Sequence, residues 1–364
     1  MDIQRRNIVI GAAAAAGLGL AAGRASAQAG TAAAPSVIRL GVAQPAIGNP
    51  PGFYGSSISI AHAKGWIEEE FAKDANTKVE WFFFKGAGPA VNEALTTGQL
   101  DFAFQGDLPA IIAKSAGLKT KLVLATGIRS NIYLAAPPDS PIQSVKDLRG
   151  KRVAIFKGTN AQLPINRLLE ANGLSERDLR VLNLDTAAGK AALATRDIDA
   201  VFGGLDLITL REKGTAKIVY SSKNDSPIFT RQSHVLVTEA FAAKHPETTG
   251  RVVKAIVKTA RWASDDRNRD EVFRIWARTG FPLPVWQEDY AGEPLRVRFN
   301  PQFDPFLVAR YKDAVEQAYK FRLTRAKFDV DPWIDRRFLN AALKDLQLET
   351  YWPVYQASGR IDGA

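Results

Sequence analysis

Four short segments of this 364-residue chain combine residue types that let a backbone hold an anion. They are Gln44-Pro45 with the loop Gly48-Asn49-Pro50-Pro51-Gly52, then Lys85-Gly86-Ala87-Gly88-Pro89, then Gly106-Asp107-Leu108-Pro109, and last Phe156-Lys157-Gly158-Thr159-Asn160. Glycine lets amide N–H groups come close to a ligand, and a helix N-terminus carries partial positive charge. One such end contributes ~0.3–2 kcal/mol towards an anion. Several ends converging, with hydrogen bonds added, reach the ~8 kcal/mol of a micromolar binder. Taken singly, each segment also fits a plain turn with a helix cap. Asp107 reads as such a cap, or as the partner of an amine if the ligand carries one. Gly204 and Asp206 follow a further strand end, and Arg231 lies near a chain crossing. The candidate ligand-binding set is therefore Gln44, Gly86, Gly106, Asp107, Lys157, Gly158, Thr159, Asn160, Gly204, Asp206 and Arg231.

Other chemistries find no support. The chain has no cysteine, which removes disulfides, thiolate metal sites and cysteine nucleophiles together. His62, His234 and His245 stand far apart, without metal spacing. His62 and His245 read as structural, and His234, near a crossing, as structural or as part of a cleft wall. Gly189-Lys190 is followed by Ala191 and lacks the upstream glycine of a phosphate-binding loop. No Ser/His/Asp set has a recognisable context. Neither a catalytic residue nor a metal or cofactor is called for. The formal charge of +10 is spread singly along the chain, which argues against a nucleic-acid groove and for a bias towards anionic partners.

The elements that must position these loops alternate. Strands are expected at 37–43, 79–84, 101–105 and 121–126, with helices at 57–72, 89–97 and 109–116 between them. The pattern restarts with strands at 152–156, 179–183 and 200–202 and helices at 161–172 and 190–195. Such alternation implies βαβ units and an α/β fold. The nearly all-apolar run Trp81 to Phe84 is expected to be a strand covered on both faces. The remainder, from Glu239, is helix-rich, with amphipathic stretches at 249–263 and 308–319.

An internal similarity organises the whole. Residues 94–106 align with residues 192–204 at an offset of 98, with six of thirteen positions identical. Each copy runs from a short helix through a tight turn to an Asp entering a strand that ends at Gly. One copy per lobe makes a pseudo-two-fold protein with a cleft between the lobes, joined by crossings near 131–136 and 229–235. Lobe I is expected to comprise 36–133 plus 235–364, and lobe II 134–234. The lobes are expected to rotate about the crossings and close on the ligand.

The first residues read as an export signal. Arg5-Arg6 precede an apolar run from Ile8 to Ala22, and Ala25-Ser26-Ala27 supplies a small-x-small cleavage site. The run is shorter than the ~20 residues of a spanning helix. The paired arginines resemble a twin-arginine signal, and both the Tat and Sec routes stay open. Cleavage near Ala27 removes three arginines and one aspartate and takes the formal charge from +10 to +8. The mature chain is expected in the periplasm, a monomer without stable membrane insertion and without nucleic acid.

In these motifs the chain resembles the periplasmic substrate-binding proteins of the aliphatic sulfonate, nitrate and taurine group of ABC importers. The resemblance runs from about Val37 to the C-terminus. It is carried by Lys85 to Pro89 with Glu93-Ala94-Leu95, Gly98 to Phe102, Gly106 to Pro109, Asp139 to Ile142, Lys157 to Asn160, Leu168 to Leu174 and Phe241 to Glu247. It implies the type II periplasmic-binding-protein fold, two doubly wound lobes joined by two crossover strands. It also implies capture of a small anionic ligand for an ABC permease with its ATPase, with Gln44, Gly106, Asp107, Thr159 and Asn160 at ligand-contacting positions. Three departures stand out. Many members have Trp, an acidic residue and Pro where this chain has Gly203-Gly204-Leu205-Asp206. Gln162 stands where His or Tyr is frequent, and the loop from Pro45 to Gly55 is longer than in the simplest members. Enzymes that resemble the group, sulfinate desulfinases and thiamine-pyrimidine synthases, depend on a cysteine this chain lacks. The alternatives are a sensory binding protein, or a binder of nitrate, an aromatic acid or a pyrimidine.

Overall fold

Residues 34–74 and 76–361 are described by a computed structural model of the chain. The export-signal assignment, 1–27, lies outside the described residues. Ten strands follow in chain order: β1 (Val37–Val42), β2 (Lys78–Phe83), β3 (Phe102–Gly106), β4 (Thr120–Ala125), β5 (Tyr133–Ala136), β6 (Arg152–Ile155), β7 (Arg180–Asn183), β8 (Ala200–Gly203), β9 (Lys217–Ser221) and β10 (Ser233–Thr238). They form two five-stranded sheets, ordered β2-β1-β3-β10-β4 and β7-β6-β8-β5-β9. In each sheet four strands run the same way, and one strand is antiparallel to both its neighbours: β10 in the first, β5 in the second. That antiparallel strand is in each case the one arriving from the other sheet. The two sheets thus repeat one topology, the doubly wound α/β arrangement with two crossings.

The internal similarity has a physical counterpart at the strand starts. Asp101, entering β3, accepts the backbone N–H of Arg39 at 2.9 Å and its guanidinium at 2.8 and 3.0 Å. Asp199, entering β8, accepts the N–H of Arg152 at 2.7 Å and its guanidinium at 2.9 Å. Each guanidinium also reaches the turn before its aspartate, Arg39 through Nη1 to Gly98 C=O and Arg152 through Nη2 to Arg196 C=O. Both turn residues take positive φ, +71° at Gly98 and +63° at Arg196. An Arg–Asp clamp therefore fixes the register of the same strand pair in each sheet.

Several expectations are corrected. The helix over 57–72 is two helices, Ser57–Lys64 and Trp66–Glu70, broken at Gly65 with φ +68°. Strand β2 is an edge strand whose exposure alternates, so Trp81 to Phe84 is not covered on both faces and Phe82 lies open to solvent. The crossings at 131–136 and 229–235 run directly into β5 and β10, and β9 was not legible because its residues are all half-buried at a sheet edge.

Helices cover both faces of the first sheet. The apolar stripe of Pro246–Ala263, with Val252, Val253, Ile256 and Val257, packs with Ile58 and Phe338 on one side. Ala87–Thr96, Asp107–Ser115 and Pro305–Lys320 pack on the other. Residues 269–299, which the sequence grouped with the first lobe, share a core with the second sheet, where Trp276, Trp286 and Tyr290 meet Tyr133, Val201 and Leu207. Trp276 also donates to Ser59 Oγ at 2.8 Å, so this segment touches both halves.

The clamps differ in burial: the Asp101 side chain is 7% exposed and the Asp199 side chain 31%. Asp101→Ala is expected to cost about 2–3 kcal/mol in urea unfolding and Asp199→Ala about 1 kcal/mol, because a lost partner matters most where water cannot replace it. Equal costs would show that burial does not set the worth of the clamp.

Candidate functional site

The two crossings are hydrogen-bonded to each other. Ser130 N–H donates to Arg231 C=O at 3.1 Å, and Arg231 N–H donates to Ser130 C=O at 2.8 Å. Arg129, just before this pair, takes φ +53°, a left-handed conformation unfavourable for a residue with a Cβ. It is held by Gln232 Oε1, which accepts its N–H at 3.1 Å, and by the rings of Tyr355 and Phe306, 3.8 and 4.4 Å from its guanidinium carbon.

From the paired crossings the Arg231 side chain runs to Gly204, just beyond β8. A Cβ on Gly204 would lie 2.8 Å from an Arg231 terminal nitrogen, so the bare glycine is what admits the guanidinium. Among the described residues this guanidinium has neither an ion pair nor a hydrogen bond, and its Nε is buried. Beside it Asp206 is buried. Its Oδ1 accepts the Gly204 N–H at 3.0 Å, while its Oδ2 accepts no hydrogen bond and stands 3.7 Å from Lys190 Nζ.

Tyr54 reaches the same place from the long loop after β1. Burial raises its hydroxyl pKa, Asp206 raises it further, and Arg231 opposes both. The ring packs edge-on against Phe281 at 5.0 Å and Trp286 at 5.4 Å between centroids. Lys190 Nζ lies 5.9 Å from the Phe281 centroid, and the buried Trp286 indole N–H has no acceptor. The loop is pinned at both ends. Ile47 and Gly52 exchange backbone hydrogen bonds, and a Cβ on Gly48 would lie 2.1 Å from the Arg278 carbonyl oxygen. Gln44 donates to the Tyr54 carbonyl at 3.3 Å and leaves its own Oε1 buried and unpaired.

A second meeting point lies between the sheets at Gly106. A Cβ there would lie 2.2 Å from the Asn160 Cβ, and Asn160 Nδ2 donates to Ser233 Oγ at 3.1 Å. The structure thus brings Gly204, Asp206, Arg231 and Gln44 around Tyr54, and sets Gly106 against Asn160. The other candidates are engaged elsewhere. Lys157 Nζ pairs with Glu176 at 2.8 Å, and Gly158 N–H donates to Gln162 Oε1 at 2.8 Å. The Thr159 hydroxyl donates to Phe156 C=O at 2.8 Å. These groups turn into their own half because Glu176, Gln162 and the Phe156 carbonyl offer acceptors there, so the Thr159 hydroxyl is engaged within its own loop. Gly86 is exposed at the start of Ala87–Thr96, where its nearest neighbour is Ala90. His234 is fully buried with Nδ1 on the Tyr311 hydroxyl, and burial pushes its pKa down to about 3. It is structural, not part of a cleft wall.

Tyr54, Lys190, Ser233, Phe281 and Trp286 were missed by the sequence reading. Two signals were available: an aromatic pair inside a Pro/Gly loop, and Phe281 and Trp286 flanking Pro282 and Pro284 in a helix-rich region. Among the described residues no group of three His, Cys, Asp or Glu could hold a metal ion.

The NMT1/THI5 like family matches residues 57–269. A Bacillus subtilis (strain 168) protein named as an aliphatic sulfonates-binding protein is 27% identical over 298 residues, 80% of this chain and 86% of that one. An Escherichia coli (strain K12) protein of the same name is 30% identical over 246 residues, 64% of this chain and 72% of that one. The structure of the periplasmic sulfonate-binding protein SsuA from Methylobacillus flagellatus KT aligns with a TM-score of 0.77 at 32% identity, covering 88% of this chain and 97% of that one. These named relatives are binding proteins.

Asp107 gives the junction a pH dependence. It is the first residue of the helix Asp107–Ser115, whose N-cap is Gly106, so it is not the cap read from the sequence; its Oδ1 accepts the Leu108 N–H at 2.8 Å. Burial pushes its carboxyl up to about 7 from 3.8, against the lowering effect of Arg167. The folded protein thus holds this proton more tightly than the unfolded chain. The stability this adds is full below about pH 4 and lost as pH rises through about 7. Asn at 107 keeps an acceptor at the helix start and has no proton to lose. Asp107→Asn is therefore expected to gain on the native protein between pH 4 and 7, reaching roughly 1–4 kcal/mol at pH 8 in urea unfolding. Parallel stability profiles would show that Asp107 ionises normally.

Proposed function

Because the chain belongs to the NMT1/THI5-like family, and within it to the aliphatic sulfonate, nitrate and taurine group of substrate-binding proteins, we propose that it is the solute-binding component of an ABC importer. It works outside the cytoplasm after removal of residues 1–27, in the periplasm, as a monomer without cofactor or catalytic activity. Among the described residues no helix is long and apolar enough to cross a membrane. The two lobes, 36–133 plus 235–364 and 134–234, with residues 269–299 packed on the second, hold a small organic anion with a sulfonate-like head group and deliver it to a permease and its ATPase.

One observation carries this reading. Arg231 presents a guanidinium with no protein partner among the described residues, on a chain crossing, in space that Gly204 leaves free. A guanidinium fork matches the oxygens of a sulfonate as it matches a carboxylate, and enclosed charge-assisted hydrogen bonds are the strong ones. The Tyr54 hydroxyl supplies a further donor near it.

The test is calorimetric titration of the purified protein with ethanesulfonate. Arg231→Gln is expected to weaken binding at least tenfold, about 1.4 kcal/mol, and Gly204→Ala to weaken it by displacing the same guanidinium. A neutral sulfone isostere is expected to bind at least about tenfold more weakly than the sulfonate. Raising the salt should slow association and leave dissociation nearly unchanged, because an enclosed pair is screened far less than the approach. Equal affinity for sulfone and sulfonate would remove the anion assignment.

A further inference from the structure

The cation at Arg231 accounts for one end of a ligand, and the side chains next to it speak to the other. Tyr54, Phe281 and Trp286 form a continuous aromatic wall in mutual edge contact, at centroid distances of 5.0, 5.4 and 6.0 Å. Trp286 is fully buried and backs the wall, whereas Tyr54 and Phe281 each keep part of their surface accessible. Tyr54 is within electrostatic reach of Arg231, so an anion on the guanidinium puts its organic substituent beside these rings. Among the described residues the Tyr54 hydroxyl makes no hydrogen bond, although burial raises its pKa, which fits a group facing an enclosed space. Lys190 stands over Phe281 and beside Asp206, closing the wall with a polar rim.

Resting on the anion reading of Arg231, we propose that the ligand's substituent is a planar aromatic ring, so that the protein prefers aryl sulfonates to alkyl sulfonates of equal carbon number. Aromatic rings in edge or offset contact gain beyond simple area burial. A rigid ring also freezes no internal torsions on entry, whereas a six-carbon chain freezes several. The wall is prepared for such a ring before any ligand arrives. Gly48 against the Arg278 carbonyl fixes the loop that carries Tyr54, and the Trp276–Ser59 hydrogen bond anchors the segment that carries Phe281 and Trp286.

The experiment compares benzenesulfonate, hexanesulfonate and methanesulfonate by calorimetric titration of the purified protein, and repeats the first two with Tyr54→Leu and Phe281→Leu. Benzenesulfonate is expected to bind at least about threefold more tightly than hexanesulfonate, and each substitution to narrow that ratio. Hexanesulfonate binding as tightly as benzenesulfonate, or more tightly, overturns the aromatic assignment and leaves the anion reading intact. A ratio unchanged in both variants overturns the wall at Tyr54 and Phe281 as its cause. If none of the three sulfonates binds a protein that still melts cooperatively, the anion reading itself fails and takes this proposal with it.

Discussion

The two backbone hydrogen bonds between Ser130 and Arg231 are the constraint on which the site depends. They tie one crossing to the other, so the two halves meet at a paired ribbon and not at two independent strings. The pair sets the direction in which the Arg231 side chain departs, and Gly204 leaves the space it enters. It also explains why Arg129 tolerates a left-handed backbone: Gln232, next to Arg231, receives its N–H, and two aromatic rings hold its guanidinium. Below the first crossing a buried network completes the anchorage. Asp289 accepts from the Tyr133 hydroxyl at 2.6 Å, from Asn131 at 3.0 Å and from Arg298 at 3.0 Å. Burial alone would favour its neutral form, yet Arg298 and the hydrogen bonds hold its carboxyl below the usual range. A carboxylate so completely partnered can stay charged in the interior.

The sheets obey a second constraint, applied twice. A parallel pair has evenly spaced hydrogen bonds and no hairpin turn to set its register. Here an arginine on β1 or β6 and an aspartate at the start of the adjacent central strand, β3 or β8, supply that information, at Arg39–Asp101 and again at Arg152–Asp199. Because the clamps sit at the strand starts, the opposite ends are free to carry loops. Gly106 and Gly204 both lie at that free end, which is where open α/β sheets place ligands.

The α/β class, the duplicated unit and most strands were legible because they rest on local patterns: apolar runs, turn glycines and the Asp before β3 and β8. The similarity of 94–106 to 192–204 even located the two glycines on which neighbouring side chains close. The site was less legible. Lys157, Gly158 and Thr159 have the composition of an anion loop, but composition does not show that Glu176, Gln162 and the Phe156 carbonyl already take their donors. Tyr54, Phe281 and Trp286 come together over more than two hundred residues of sequence, and no local period reports such a meeting. Gly203-Gly204 was noticed as a missing tryptophan. Only the coordinates show that an arginine from the crossing occupies the space beside it. His234 shows the opposite error, since its place near a crossing hinted at the cleft while its side chain belongs to the core with Tyr311.

The aromatic wall is built from connections and not from strands. Tyr54 sits on a loop held by its own short backbone bridge, by Gln44 on its carbonyl, by the buried Phe53 and by the fit of Gly48 to Arg278, while Phe281 and Trp286 belong to a segment placed after the last strand of either sheet. The register clamps that order the strands are therefore separate from the rings of the proposed wall, although Trp286 also belongs to the core of the second sheet. Such a division makes the scaffold evolvable. Residues of the loop and of the helical segment can be exchanged without touching either register clamp, so the wall can be rebuilt while the strands keep their pairing.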